Sequence, residues 1–433
     1  MFEHIHSIHL IGANGVGVSA VGKLFLAWGR KVSGSDLHGG LFSDELERMG
    51  ASVYPSPARP PKLQRRREGV NVPKDTDLVV YSSAVPESNP ERQAAKDRGI
   101  DQVSFAEFLG ELAKGYTTIA VTGTHGKSTT TAMIGKVLED AGLDPTVIVG
   151  SRVPGWSLGN LRVGSSKYLV LEACEHMANH LKIHPDIGVI TNVEFDHPDF
   201  YRDLEHVRET MEEWAREVGE VIWVEKEADP KLNLKVPGGY NQRNAAGALA
   251  VARLLKLDEA KACASLEAFP GIWRRFEHLG VWQPARMNGT NRSGGGADVY
   301  SDYGHHPTAI RETLKAAREL FPNRRLVHIF QPHQHARTAE LFDEFVSVLG
   351  KADINILVEI YGVAGRTDDQ SVSSKALAEA VSKTARSGSF THYAESLDAA
   401  EKLVHELVQP GDVLFFQGAG DIDDVARRLI SSI

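Results

Sequence analysis

The run TIAVTGTHGKSTTT, Thr118 to Thr131, joins an apolar strand-like stretch to a glycine loop carrying lysine and serine, and then to the start of a helix. Backbone N–H groups of such a loop, together with a helix N-terminus, make a cradle for polyanions. Lys127 suits terminal phosphates and the Ser128 hydroxyl suits Mg²⁺, so Gly123, Thr124, His125, Gly126, Lys127, Ser128 and Thr129 are expected around the phosphates of ATP. The loop is a short variant, GTHGKS. The general pattern wants glycine five positions before the Gly126-Lys127 pair, and Val121 stands there. Met133, Ile134, Val137 and Leu138 recur at helical spacing behind the loop, and Gly142 sits where a C-cap is expected.

Further groups gather at the ends of apolar runs. KYLVLEACEH and IGVITNVEFDH close on Glu172, Asp196 and His197, which places these side chains at the carboxyl edge of a parallel sheet beside the phosphate loop. That location suits Mg²⁺, which takes one or two protein ligands and keeps water elsewhere. Upstream, SIHLIG, the turn GANGVG, a helix to about Trp28 and KVSGSD ending in Asp36 have the shape of a dinucleotide fingerprint. The glycines at Gly12, Gly15 and Gly17 miss its spacing, so the pattern supports a diphosphate at a helix N-terminus better than it supports NAD. DTDLVVYSSAVPESNPE reads as a buried strand that puts Ser82, Ser83 and Asn89 on the ligand edge. RPPKLQRRREG reads as a charged, proline-rich, solvated loop.

GGYNQRNAAGALAVARLLKL predicts an alanine-rich helix whose first turn carries Asn241 and Asn244 on one face. Asparagine there is commonly only a cap. FPGIWRRFEHLG brings Arg274 and Arg275; adjacent arginines usually face solvent, yet a phosphate-clamping guanidinium would be useful at a domain junction. NGTNRSGGGAD is expected to be a mobile surface turn. VYSDYGHHPTAIRETLKAAREL and RLVHIFQPHQHARTAELFDEF each read strand, polar turn, helix, with Asp302, His305, His306 and Pro307 at the first turn and Gln331, His333, Arg337 and Thr338 at the second. INILVEIYG and DVLFFQGAGD add strands. The histidines show no H-x-x-x-H with an acid on one helix face, so no zinc site is expected.

Composition bounds these readings. A chain of 433 residues exceeds one ordinary core and suggests two or three domains. The patterns place domains at 1–110, 111–279 and 280–433. With 42% hydrophobic and 24% charged residues the chain is globular, and a formal charge of -9 argues against a general nucleic-acid binder. No run of about 18 apolar residues is present, and MFEHIHSIHLIG lacks the features of a secretion signal, so no membrane partner and a cytoplasmic location are expected. Cys174 and Cys263 have neither disulfide-framework nor metal-ligand spacing, and are expected as reduced thiols.

Taken together, GANGVGVSAVGKLFLAWGRKVSGSD, YSSAVPESNPE, VTGTHGKSTTT, EACEH, TNVEFDH, NQRNAAGALA, RRFE, SDYGHHPT, FQPHQHART and QGAGDI occur in the order found in the Mur ligases, and the whole chain resembles that family, most closely its alanine-adding branch. The resemblance implies an α/β protein of three domains: a Rossmann-like N-terminal domain for a UDP-sugar, a central P-loop ATPase domain with a mostly parallel sheet, and a Rossmann-like C-terminal domain for the amino acid. It implies that Gly12, Gly15, Gly17, Ser35 and Asp36 lie at the UDP-sugar, with Ser82 and Ser83 on the same edge. Lys127 and Ser128 would meet ATP and Mg²⁺, Glu172 and His197 further Mg²⁺, and Asn241, Asn244, Arg275 and Asp302 the nucleotide. His305, His333, Arg337 and Thr338 would border the acceptor. The implied substrates are UDP-N-acetylmuramate, L-alanine and ATP, and the implied state is a monomer or homodimer.

The chemistry asks for such parts. A carboxylate is a poor acyl donor, so it attacks the γ-phosphate to become an acyl phosphate, and the amine of the amino acid then displaces phosphate. Phosphoryl transfer has a loose transition state, so catalysis is mostly alignment and charge stabilisation, here by Lys127 and Mg²⁺. The amine must be uncharged when it attacks, and His197 or a nearby acid is a candidate acceptor for its proton. Closure of the C-terminal domain would exclude water and bring Arg337 toward the amino-acid carboxylate.

Three departures stand out. EACEHM replaces the branch's usual EADESD, with Cys174 and His176 in place of acid and serine. No lysine lies between Asp186 and Val224, where several relatives carry a carbamylated one. IYGVAGRTDDQSVSSKAL is not a close match, and it lies where acceptor choice would be influenced. Three alternatives stay open: a recycling ligase that adds a preformed tripeptide, a nicotinamide-dependent dehydrogenase that would leave GTHGKST idle, and a non-catalytic nucleotide switch with no use for the histidine-rich third segment.

Overall fold

The computed structural model describes residues 2–57, 71–284, 295–362, 371–384 and 388–431. The proline-rich loop 59–69 lies outside them, as do most of the glycine-rich turn 288–298 and residues 363–370 of the departing acceptor segment. Three sheets carry the fold. The first comprises β1 (Ser7–Ile11), β2 (Lys31–Asp36), β3 (Ser52–Pro55), β4 (Leu78–Tyr81) and β5 (Asp101–Ser104), all parallel in the order β3-β2-β1-β4-β5. The second comprises β6 (Thr117–Thr122), β7 (Thr146–Ile148), β8 (Leu161–Arg162), β9 (Tyr168–Glu172), β10 (Ile187–Ile190) and β11 (Glu220–Trp223), ordered β11-β10-β6-β9-β7-β8 and parallel except for β7 with β8. The third comprises β12 (Glu277–Trp282), β13 (Ala297–Asp302), β14 (Leu326–Phe330), β15 (Ile354–Val358), β16 (Phe390–Ala394) and β17 (Val413–Gln417), ordered β12-β13-β17-β14-β15-β16, with only β12 antiparallel.

This is the expected three-domain α/β architecture with mostly parallel sheets. Strands such as IHLI and IAVT are continuous apolar runs because helices cover both faces of a parallel sheet. Strand order reverses at β1 and at β6, and in such sheets the crevice beyond the strand ends at the reversal is where ligands bind. Both glycine loops, after Ile11 and after Thr122, open at those points.

The chain forms two compact units. One is Met1–Glu194 with Glu205–Leu232 and Arg243–Ala268; the other is Phe195–Leu204 with Asn233–Gln242 and Phe269–Ile433. The first unit holds the first two sheets on one continuous core that runs from Ile8, Leu10 and Phe25 to Ile148, Leu169, Leu171 and Trp214. The second holds the third sheet, with apolar clusters on its two faces around Ile329 and Phe416 and around Phe330 and Phe345. Among the described residues no helix is long and apolar enough to cross a membrane.

A buried histidine sits inside the third sheet. His328 is 0% exposed, and its Nε2 lies 2.8 Å from Gln417 Oε1, whose amide in turn donates to Asp302 Oδ1 at 2.8 Å. Burial pulls the His328 pKa down to about 4. Unfolded, the same imidazole titrates near ~6.5, so this group's contribution to stability is complete above that pH and is lost as pH falls toward 4, by about 3 kcal/mol. Denaturant unfolding of a His328→Leu variant across pH 7 to 4 is expected to show an acid slope shallower by that amount.

Candidate functional site

The Gly123–Ser128 loop leaves β6 and runs into the helix Lys127–Asp140, whose first residues carry no side-chain cap. Its shape is held from β10. Asn192 accepts from the His125 amide at 3.0 Å and donates to the His125 carbonyl at 3.0 Å, while Thr191 Oγ1 donates to that carbonyl at 2.6 Å. Thr124 Oγ1 accepts from the Glu194 amide at 2.9 Å. Two glycines are required here. Gly123 has φ +121° and Gly126 φ +82°, and a Cβ would lie 2.2 Å from Thr191 Oγ1 at the first and 2.3 Å from Asn244 Oδ1 at the second. The glycines therefore keep the loop's surface concave, and the helix N-terminus behind it carries no side-chain cap, as a phosphate cradle requires. A Gly126→Ala variant meets both left-handed strain and that clash, and its affinity for ATP, read by calorimetry, is expected to drop about tenfold or more.

Lys127 Nζ is the cation of this loop. It donates to the carbonyls of Gly123 at 2.7 Å and Thr124 at 3.0 Å and pairs with Glu175 at 2.7 Å, Glu175 itself being 2% exposed. Burial disfavours its charged form, but the Glu175 carboxylate, with Glu172 further off, outweighs burial and raises its pKa above the ordinary lysine value. Lys127 is an ammonium at any working pH. Ser128 lies buried in the first helical turn, and Glu172, at the end of β9, accepts from the Gly150 amide at 2.8 Å. Hydroxyl and carboxylate oxygens are the hard donors Mg²⁺ prefers, so this pair fits that ion. Asn244 Oδ1, beside Gly126, accepts from Thr130 Oγ1 at 3.3 Å.

In the first sheet the turn after β1 folds over β2, with the amides of Gly12 and Ala13 donating to the Ser35 carbonyl at 2.9 and 3.0 Å. Asp36 accepts from the Asn14 amide at 2.8 Å, and Gly15 starts the helix Val16–Ala27, which contains Gly17. Ser82 follows β4, across the order reversal from Gly12, and Ser83 Oγ accepts from Asn179 at 3.2 Å. Ser35 differs from its neighbours. Its hydroxyl turns inward and donates to buried Glu91 at 2.6 Å, in a cluster with Ser33 and His9. Ser35 thus meets the ligand edge with its backbone.

The remaining predicted residues belong to the second unit. Asp302 ends β13 and gathers the Phe276 amide at 2.9 Å, the Gly304 amide at 2.8 Å and Gln417. Asn241 donates to the Pro237 carbonyl at 2.7 Å. Arg275 lies 5.0 Å from the Tyr303 ring centre. Its neighbour Arg274 is buried and holds the glycine turn after β17 through the carbonyls of Gly418 and Gly420.

Arg337 is 1% exposed, and both its Nε and its Nη2 lie 2.8 Å from Asp196 Oδ1. Burial would push the Asp196 carboxyl up, yet Arg337, with His197, His305 and His306, holds it well below the usual carboxylate range. His305 and His333 stand beside the pair, ring centres 5.5 Å apart, and burial together with Arg337 keeps His305 neutral. Thr338 spends its hydroxyl on its own helix, donating to the Gln334 carbonyl at 2.9 Å. His197, at φ +56°, donates its amide to Asp196 at 2.7 Å.

Sequence reasoning placed Asp196 at the sheet edge without its partner Arg337, and left three participants outside the predicted site: Glu175 and the clamp residues Thr191 and Asn192. The signal for the last two was the TN that follows an apolar strand.

Residues 7–117 match the model of the Mur ligase family, catalytic domain; residues 121–227 match the Mur ligase middle domain; and residues 285–420 match the Mur ligase, glutamate ligase domain. The chain belongs to the Mur ligase family. Similar proteins include the UDP-N-acetylmuramate–L-alanine ligase of Geotalea uraniireducens, 33% identical over 100% of this chain and 99% of the relative. That of Clostridium acetobutylicum is 32% identical over 98% of this chain and 97% of the relative. Among solved structures, the UDP-N-acetylmuramate-alanine ligase of Thermotoga maritima matches with a TM-score of 0.81 at 27% identity, covering 98% of each chain. A murein peptide ligase of Psychrobacter arcticus shares the fold, with a TM-score of 0.66 at 22% identity over 99% of this chain and 98% of the other.

Proposed function

We propose that the protein is an ATP-dependent ligase that joins L-alanine to the lactyl carboxylate of UDP-N-acetylmuramate, a step in building the peptidoglycan precursor. The observation that carries this reading is the Lys127 loop, a glycine loop with a buried ammonium at a helix N-terminus, in a chain that aligns end to end with relatives named for this reaction. The lactyl carboxylate attacks the γ-phosphate, ADP leaves, and the acyl phosphate is then opened by the amine with release of phosphate. Lys127 and the loop amides hold the transferring phosphoryl group and offset the charge that spreads over its oxygens. The first-sheet edge at Gly12, Asp36 and Ser82 holds the UDP moiety. Mg²⁺ held by Ser128 and Glu172 would neutralise phosphate charge. In the second unit Arg337 is the guanidinium for the amino-acid carboxylate, with His333 and a neutral His305 beside it. ATP and UDP-sugars are cytoplasmic metabolites, which supports a cytoplasmic location.

Phosphate release measured across L-alanine, L-serine, glycine and the murein tripeptide tests the reading. Release that needs both UDP-N-acetylmuramate and L-alanine, one phosphate per amide bond, is expected. Release independent of the UDP-sugar contradicts it, and a preference for the tripeptide moves the protein to the recycling reaction.

A further inference from the structure

Lys23 is a lysine buried to 1% exposure on the helix that follows the first glycine loop, Val16–Ala27. Burying an ammonium is expensive unless every proton finds an acceptor. Its three acceptors are Glu45 at 2.5 Å, Asn160 Oδ1 at 2.6 Å and the Leu158 carbonyl at 2.9 Å. Burial lowers its pKa below that of an ordinary lysine, and the Glu45 carboxylate opposes that shift. Glu45 comes from the first-sheet domain, on the helix Leu41–Arg48, and Leu158 and Asn160 come from the loop between β7 and β8 of the second sheet. The same loop returns the bond. Fully buried Asn160 donates to the Val16 carbonyl at 2.5 Å and to Ser19 Oγ at 3.1 Å, both in the first turn behind the glycine loop, and Arg152 pairs with the other oxygen of Glu45 at 2.8 Å. At its start the loop donates the Gly150 amide to Glu172 at 2.8 Å.

A hydrogen-bonded path therefore runs from the helix that presents the UDP-sugar loop, through Lys23 and Asn160, to the loop that orients Glu172 near Lys127. Apolar residues would seal this junction at lower expense, since a buried ion pair rarely adds net stability over hydrophobic packing. What a directional network supplies is register. We propose that Lys23, acting with Asn160, is a positioning residue that fixes the UDP-sugar loop relative to the phosphate-transfer groups, so that the donor carboxylate is held in line with the γ-phosphate. This rests on the ligase reading above. Alignment of a bound pair acts on the transfer step rather than on the affinity of either substrate, and a misplacement of about 1 Å is worth about a hundredfold in rate.

The test uses the full-length protein and its Lys23→Met variant. Expected for the variant are a kcat at least tenfold lower, KM values for ATP and UDP-N-acetylmuramate within threefold of the parent, and more phosphate released than amide formed; Lys23→Arg is expected to recover part of the rate. A folded Lys23→Met with unchanged kcat and one phosphate per amide overturns the proposal, as does a loss confined to thermal stability. Should Lys23→Met fail to fold, amide exchange in the parent decides. UDP-N-acetylmuramate alone is expected to slow exchange in residues 150–160 as well as in the glycine loop, and no change in 150–160 overturns the proposal. A parent enzyme that needs no UDP-sugar to release phosphate fails the ligase reading instead, whatever Lys23 does.

Discussion

Replacing Lys127 with alanine is expected to lower the rate of amide formation by about a thousandfold or more, because in the proposed reaction its ammonium offsets the charge on the transferring phosphoryl group. The variant also leaves Glu175 with the buried charge it now shares with Lys127 at 2.7 Å. Removing one member of a buried pair destabilises by about 3–5 kcal/mol. The two effects separate in a Lys127→Met, Glu175→Gln double variant, in which stability by denaturant unfolding should largely return while the rate does not. A double variant that recovers the rate would mean that Lys127 serves only to neutralise Glu175.

The second large effect belongs to Arg337. Its truncation to alanine is expected to raise the KM for L-alanine by about a hundredfold, the loss of a charge-assisted bond to the carboxylate, and to leave ATP binding unchanged. Stability falls as well, by about 3–5 kcal/mol, since Asp196 is 5% exposed and would keep a charge with no guanidinium beside it. The pair's contribution is present above the unfolded carboxyl pKa of ~3.9 and is lost as pH drops below it, because the folded carboxyl titrates lower still. Adding Asp196→Asn to Arg337→Ala should restore much of the stability and none of the affinity. Steady-state kinetics with L-alanine and urea unfolding at pH 7 and at about pH 2.5 read both parts.

The elements that carry the site were legible chiefly as apolar runs. β1, β6, β9 and β10 fall where SIHLI, TIAVT, KYLVLE and IGVI predict them, because a strand covered on both faces has little choice of composition, and β2 falls at KVSGSD, read from its place after the glycine turn and helix. Gly142, read as a cap, has φ +78°. Short strands with mixed patterns, such as β3, β5 and antiparallel β12, left no comparable trace.

In the site itself, the cations were visible and their partners were not. Arg337 and Asp196 are 141 residues apart, and Lys127 meets Glu175 only because β6 and β9 are neighbours in the sheet. Pairing of that kind depends on strand order, which local sequence does not encode. Two details were within reach of simple periodicity. Ser33 and Ser35 alternate with Gly34 on β2 and so share a face, both reaching the His9 and Glu91 cluster. Thr338, four residues after Gln334, is placed to bond back along its own helix. Lys23 on a helix reads as a surface charge, and only the packing of two sheets on one core buries it.

The central claim is that ATP activates the substrate's own carboxylate at the Lys127 loop. The direct measurement uses UDP-N-acetylmuramate labelled with ¹⁸O in the lactyl carboxylate, incubated with ATP, Mg²⁺ and L-alanine, and follows the label by mass spectrometry. Transfer of one ¹⁸O to the released phosphate for each amide formed is the predicted result. Unlabelled phosphate accompanying amide formation would contradict it.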